Sequence, residues 1–246
     1  MNKNNLCIAS LALLLLVGQI SAQDHLWKFD ENRGNIAYDS KGGWKGRDAV
    51  KGFLNNAYWR DLSKVGPGAA VHITGADNSF VTFGTAVGQF CKEDFTVAFW
   101  VQTSDCLELY DLVGNRADPG HGNYFSVRMS GDGYVTAEVD ENSRGTNYIG
   151  VRSSCGGLND GQWHHIAVTR CGADLNLYID GELSNTGCAR GVANINNNKP
   201  FKIGRSMCEP GTCRFSPDAL FDDLAIYSSA LDACQIKELY QCATNE

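Results

Sequence analysis

The sequence predicts an all-β sandwich or barrel, and two observations carry that prediction. Residues 95–101 alternate cleanly, with Phe95, Val97, Phe99 and Val101 on one face at period two. Similar short runs cover residues 123–129, 134–139, 147–152, 163–170, 174–179, 201–204 and 220–227. Between them stand Gly131-Asp132-Gly133, Asn159-Asp160-Gly161 and Asp180-Gly181, combinations that accept the positive φ of hairpin turns. Many short strands at this spacing stack as two sheets or close as a barrel.

One helix interrupts the pattern. Asp232 can cap it, with Gln235 three residues on to complete a capping box. Ile236, Leu239 and Tyr240 then share a face, so the helix is expected to close one end of the sandwich. The Asn-rich stretch 194–198 before Pro200 reads as a surface loop.

The chain has 246 residues, enough for one large sandwich. Lys3, an apolar run over 6–17 and small Ser21 and Ala22 have the layout of a signal peptide over residues 1–22. One domain over 24–246 in a secreted, extracellular protein is expected. Of the 10 cysteines only Cys7 lies in that leader. The rest argue for an oxidising compartment and several disulfides, and their odd number leaves one thiol free or linked to another chain. The net charge of −7 and the lack of a Lys/Arg run disfavour a nucleic-acid partner. That acidity suits solubility, and also cations or mineral surfaces. No later stretch is apolar enough to span a bilayer.

The segment Asn159-Asp160-Gly161-Gln162-Trp163-His164-His165-Ile166-Ala167-Val168 closely resembles the hallmark of laminin G-like domains. The likeness continues through Leu175-Asn176-Leu177-Tyr178-Ile179-Asp180-Gly181, Phe201-Lys202-Ile203-Gly204 and Phe221-Asp222-Asp223-Leu224-Ala225-Ile226-Tyr227. At the front, Trp27-Lys28-Phe29-Asp30-Glu31 and Ser79-Phe80-Val81-Thr82-Phe83 are similar to early strands of that family. The resemblance implies a concanavalin A-like jelly roll of two antiparallel sheets with a short C-terminal helix. It also implies a non-enzymatic binding or structural module, an extracellular matrix component such as those of shell or skeleton, with a calcium-dependent lectin as the alternative. The partner would be an extracellular glycan or matrix protein. The related pentraxins carry a Cys in each of two core strands, where Ala98 and Ala167 stand here.

The candidate sites follow from residue type. His164 and His165 are adjacent in a strand and face opposite ways, so they cannot share an ion. Trp163, His164 and His165 are read as structural. Glu138-Val139-Asp140-Glu141 resembles a glycoside hydrolase Glu-x-Asp-x-Glu motif on this fold, but Asn142 takes the acid/base position and Glu141 points away. No catalytic residue is assigned. A calcium ion takes hard oxygen ligands, and likeness to the pentraxin loops that supply an Asp, an Asn and further carboxylates implies Asp118, Asn123 and Glu209 as its ligands, the first two in loop 115–123. Asp30 and Asp222 are a weaker pair for a structural ion. Trp44, Tyr58 and Trp59 sit outside the clear strands and are the glycan-stacking candidates. Cys208 and Cys213 bracket a Pro-Gly turn and can pair. Cys171 and Cys188 flank a hairpin and are expected to pair. Cys234 and Cys242, if helical, lie about 12 Å apart and each needs another partner.

Overall fold

The computed structural model describes residues 24–41, 50–76, 78–116, 120–205 and 216–244. The expected signal peptide, Trp44, Asp118, Cys208, Glu209 and Cys213 lie outside the described residues.

Two eight-stranded sheets face each other, and every strand pairing is antiparallel. The first sheet runs β14 (Glu182–Cys188), β13 (Asp174–Ile179), β12 (Trp163–Cys171), β7 (Phe95–Thr103), β16 (Asp218–Tyr227), β5 (Ala70–Thr74), β4 (Tyr58–Arg60). The short β1 (His25–Trp27) pairs with the far end of β16. The second sheet runs β11 (Ile149–Arg152), β10 (Val135–Asp140), β9 (Tyr124–Ser130), β8 (Leu109–Gly114), β15 (Lys202–Ile203), β6 (Phe80–Thr82), β3 (Lys51–Asn55), β2 (Ile36–Tyr38). This is the expected two-sheet sandwich.

The core lies between the sheets because alternate residues of each strand point inward. Phe95, Val97, Phe99 and Val101 of β7 meet Phe125, Val127 and Met129 of β9 and Val135, Ala137 and Val139 of β10 in one buried cluster. Phe90 stacks on Phe95 at 4.0 Å between ring centres and meets Phe125 edge-on. At about 25 cal/mol per Å² of apolar surface removed from water, such interdigitated rings dominate the stability of the sandwich.

The outer face of the first sheet is also covered along part of its length. Helix α1 (Ala233–Thr244) lays Ile236 and Leu239 over Leu26, Ala98, Ala167, Tyr178 and Tyr227. Its start is the anticipated reciprocal cap: Gln235 N–H donates to Asp232 Oδ1 at 2.9 Å and Asp232 N–H to Gln235 Oε1 at 3.0 Å. Ala98 and Ala167 are direct cross-strand partners beneath this helix. The Asp180-Gly181 turn between β13 and β14 has φ of 51° and 79°, the left-handed pair that makes glycine the natural second residue.

Two expectations need correction. Tyr58 and Trp59, expected outside the clear strands, form strand β4. Cys171 and Cys188 are both unbonded thiols. Asp174 of β13 pairs with Cys171 on one side and with Cys188 on the other. The two cysteines therefore stand two strand spacings apart, roughly 10 Å, beyond the Cα separation of about 7 Å that a disulfide tolerates.

Candidate binding surfaces

The Trp-His-His segment is a clasp. Asp180, held in the hairpin turn, accepts a hydrogen bond from the His165 N–H at 2.8 Å and contacts His164 Nδ1 at 2.8 Å. Asp160 meets the other nitrogen of His164 at 3.2 Å. Its hydrogen bond to Asp180 pulls the His164 pKa up despite partial burial. His165 faces the other way, against Trp100 and Tyr240, and complete burial pushes its pKa down to about 4. Two adjacent histidines with opposite shifts on opposite faces serve packing and turn closure, as the period of a strand requires.

The outer face of the second sheet carries a fixed ionic network. Glu138 of β10 is 4% exposed. Its Oε2 accepts from Arg116 at 3.0 Å and from Arg128, and its Oε1 accepts from the Tyr148 hydroxyl at 2.9 Å. Burial, reinforced by Glu138, pushes the Tyr148 hydroxyl up to about 12. Arg116 lies 4.2 Å from the ring centre of Tyr124. Space for this arrangement comes from small neighbours: Glu138 is flanked across the ladders by Ser126 and Gly150, and a Cβ at Gly150 would sit 2.8 Å from the Tyr148 hydroxyl. Two residues on, Asp140 is fully buried and its Oδ2 contacts His121 Nδ1 at 2.7 Å. Glu141, beyond the strand, accepts from Asn147 at 2.6 Å. Glu138 and Asp140 share a face as read from sequence, but each is sealed and engaged internally. The residues that the sequence reading missed here are Arg116, Arg128, Tyr148 and His121. The alternation of Tyr124, Ser126 and Arg128 opposite Glu138 and Asp140 was the available signal.

The rim expected to hold calcium is knitted by asparagines. Asn123 Nδ2 donates to the carbonyls of Glu141 at 2.8 Å and Asn194 at 2.6 Å, while its Oδ1 accepts from the Asn196 N–H at 2.8 Å. Asn197 donates to the carbonyls of Asn115 and Asn123. Among the described residues no group of three His, Cys, Asp or Glu side chains could hold a metal. Asp222 anchors a loop: it accepts from Lys64 N–H at 2.7 Å, Val65 N–H at 3.2 Å and the Ser63 hydroxyl at 3.0 Å. Burial outweighs these donors and pushes its pKa up to about 6. Asp30, its pKa also raised by burial, hydrogen-bonds the backbone of Ala69 in the same loop.

Of the aromatic candidates, Trp59 packs against the core and donates its Nε1–H to the Gly34 carbonyl at 2.9 Å. It plugs the sandwich edge. Tyr58, on the other face of β4, is 59% exposed. Cys234 and Cys242 lie on the exposed side of α1.

Two packed antiparallel sheets with one short C-terminal helix define the class of concanavalin A-like jelly rolls. Within it, residues 74–237 match the Laminin_G_3 family, of the concanavalin A-like lectin/glucanases superfamily, and the chain belongs to that family. The rat "Sushi, von Willebrand factor type A, EGF and pentraxin domain-containing protein 1" is 27% identical over 161 residues, covering 61% of this chain and 4% of that protein. The zebrafish adhesion G-protein coupled receptor V1 is 27% identical over 154 residues, 60% of this chain and 2% of the receptor. The chain thus spans only a small part of the length of these relatives. Among solved structures, the binding domain of Paraclostridial Mosquitocidal Protein 1 superposes with a TM-score of 0.68 at 18% identity, over 89% of this chain and 51% of the other. The binding domain of botulinum neurotoxin serotype G gives 0.65 at 17%, over 89% and 51%. These likenesses show the fold. No helix among the described residues is long and apolar enough to cross a membrane.

Proposed function

We propose that this protein is a non-enzymatic recognition module of the extracellular space, secreted and built into matrix, and that it binds a glycan or a matrix protein. The observation that carries this reading is the state of Glu138 and Asp140. They are the carboxylates that a hydrolase on this fold would use, and both are sealed by internal partners. A retaining or inverting pair must reach substrate and water. Sealed in this way, the two carboxylates present no acid/base pair to a substrate. Family membership supports the same class, as do relatives named for adhesion and for pentraxin domains. The acidic balance of −7 is compatible with a mineralised matrix as the finer setting. Calcium is proposed at the 115–123 rim. Because Asn123 is already engaged through both amide atoms, Asp118 and Glu209 would have to supply the charge.

The test is a glycan array probed with the oxidised, folded protein, with calcium and with chelator. Calcium-dependent binding to a defined glycan establishes the lectin form of the proposal. Silence in both conditions removes it and leaves the matrix-protein form, read by pull-down on matrix components. Release of shortened sugars would overturn the non-enzymatic reading.

A further inference from the structure

The pairing registers carry one row of side chains straight across five strands of the first sheet. Tyr58 on β4 stands opposite His72 on β5, His72 opposite Leu220 on β16, Leu220 opposite Gln102 on β7, and Gln102 opposite Trp163 on β12. Cross-strand partners point to the same face. Here that is the outer one, because the neighbours Val71, Ile73, Ala219, Phe221 and Val101 are in the core. Four strand spacings of about 4.8 Å make the row about 19 Å long, with an aromatic ring at each end. The adjoining row of Asp222, Trp100 and His165 is roofed by residues 63–65 and by Tyr240 of α1. The Tyr58–Trp163 row is the first beyond that roof, and a cleft of about 580 Å³ opens over its middle.

The polar walls of the cleft are oriented. Arg60 Nε can only donate, so His72 Nδ1, 3.3 Å away, accepts. The imidazole proton then sits on Nε2 and is donated to Asp218 Oδ1 at 2.6 Å. Asp218 is fixed at its backbone by Asp105 at 2.9 Å and by the Thr103 hydroxyl at 2.7 Å, while its side chain stays 68% exposed. Gln102 anchors its Nε2 on the Gly161 carbonyl at 2.7 Å, which aims its Oε1 as an acceptor. A guanidinium donor beside carboxylate and amide acceptors, over an apolar Leu220 floor, matches vicinal hydroxyl groups. Each hydroxyl can both donate and accept there, while ring faces take the C–H side of a sugar. Arg60 is outweighed by Asp105 and Asp218 in the lining, so sulfate or carboxylate groups on a ligand would be repelled.

We infer that this trough binds an uncharged oligosaccharide, with Tyr58 and Trp163 as stacking platforms and Arg60, Asp218 and Gln102 as its polar contacts. The inference rests on the recognition role proposed above and locates it on the first sheet.

The experiment is titration of the full chain with neutral, sialylated and sulfated oligosaccharides. It compares Tyr58→Ala, Asp218→Asn and, as the control on the opposite sheet, Tyr148→Ala. Melting curves confirm that each variant is folded. The expected result is binding of a neutral oligosaccharide that weakens about tenfold in Tyr58→Ala and Asp218→Asn and is unchanged in Tyr148→Ala. Loss in Tyr148→Ala alone overturns the trough and keeps the recognition reading. Binding confined to charged glycans overturns the ligand class, and no glycan binding at all overturns the inference. Cleavage of the bound sugar, abolished by the trough variants, would support the trough while defeating the non-enzymatic reading.

Discussion

His165 is enclosed between Trp100 and Tyr240, and its Nδ1 has no hydrogen-bond partner, so its protonation is opposed by burial alone. Between pH 6.5 and 4 the unfolded chain takes up a proton that the folded imidazole refuses. Stability therefore falls as pH falls through that window, by about 3 kcal/mol in full. Asp222, whose pKa burial raises to about 6, acts in the opposite sense between pH 6 and 4 and flattens the total, whereas His164, raised by Asp180, does so only above pH 6.5. The variant His165→Phe isolates the contribution. Its stability relative to the parent should rise by about 3 kcal/mol from pH 7 to pH 4, read from urea midpoints, and parallel profiles would exclude the account. Glu138 tests the buried network in the same way. Glu138→Gln leaves Arg116 and Arg128 without their carboxylate and should cost about 3 kcal/mol in urea unfolding at neutral pH. A loss under about 1 kcal/mol would mean that the guanidiniums find water instead. The structural role of His164 and His165 was legible because alternation alone forbids a shared ion. The role of Glu138 was not, because Arg116 reaches it from a loop 22 residues away and Tyr148 from the next turn.

Helix α1 shows how a local signal becomes a tertiary device. The cap at Asp232 was readable from four residues, and the structure forms both of its hydrogen bonds. Asp232→Ala should destabilise the protein by about 1 kcal/mol. Because α1 stacks Tyr240 on Trp100 at 5.5 Å, early fraying should appear as a change in tryptophan emission ahead of global unfolding. Coincident transitions would show that the helix does not loosen first. Strand β13 was also readable to its ends, since its alternation is unbroken and an Asp-Gly turn terminates it. Other strands have no period of their own to read, each for a physical reason, although β14 was implied as the return strand of the Asp180-Gly181 hairpin. β14 is an edge strand with no buried position, so it has no apolar period to read. β8 carries a bulge between Asp111 and Val113 that breaks the alternation. β4 is three residues long and hides Trp59 between two exposed neighbours.

The strand order of the whole sandwich explains why local reasoning misjudged the cysteines. From sequence, Cys171 and Cys188 bracket one hairpin, and a hairpin brings its ends together. In the sheet, however, Cys171 ends β12, and β13 runs between β12 and β14. The pair is separated by the full width of a third strand, with Asp174 between them. Long-range pairing of this kind, like the contact of β7 with β16 across more than a hundred residues, has no signature in spacing. It was legible only through likeness to a family whose strands occur in the same order. The topology makes a definite prediction for the oxidised protein. Peptide mapping without reduction should find no link between Cys171 and Cys188, and replacing both by serine should change stability by no more than about 0.5 kcal/mol, as for exposed positions. A mapped Cys171–Cys188 bridge would require β13 to leave the sheet, which would uncover Leu175 and Leu177 and cost several kcal/mol. The same map would show whether Cys234 and Cys242, exposed on α1 about 12 Å apart, link to another chain, the route by which a module of this kind can be fixed in a matrix.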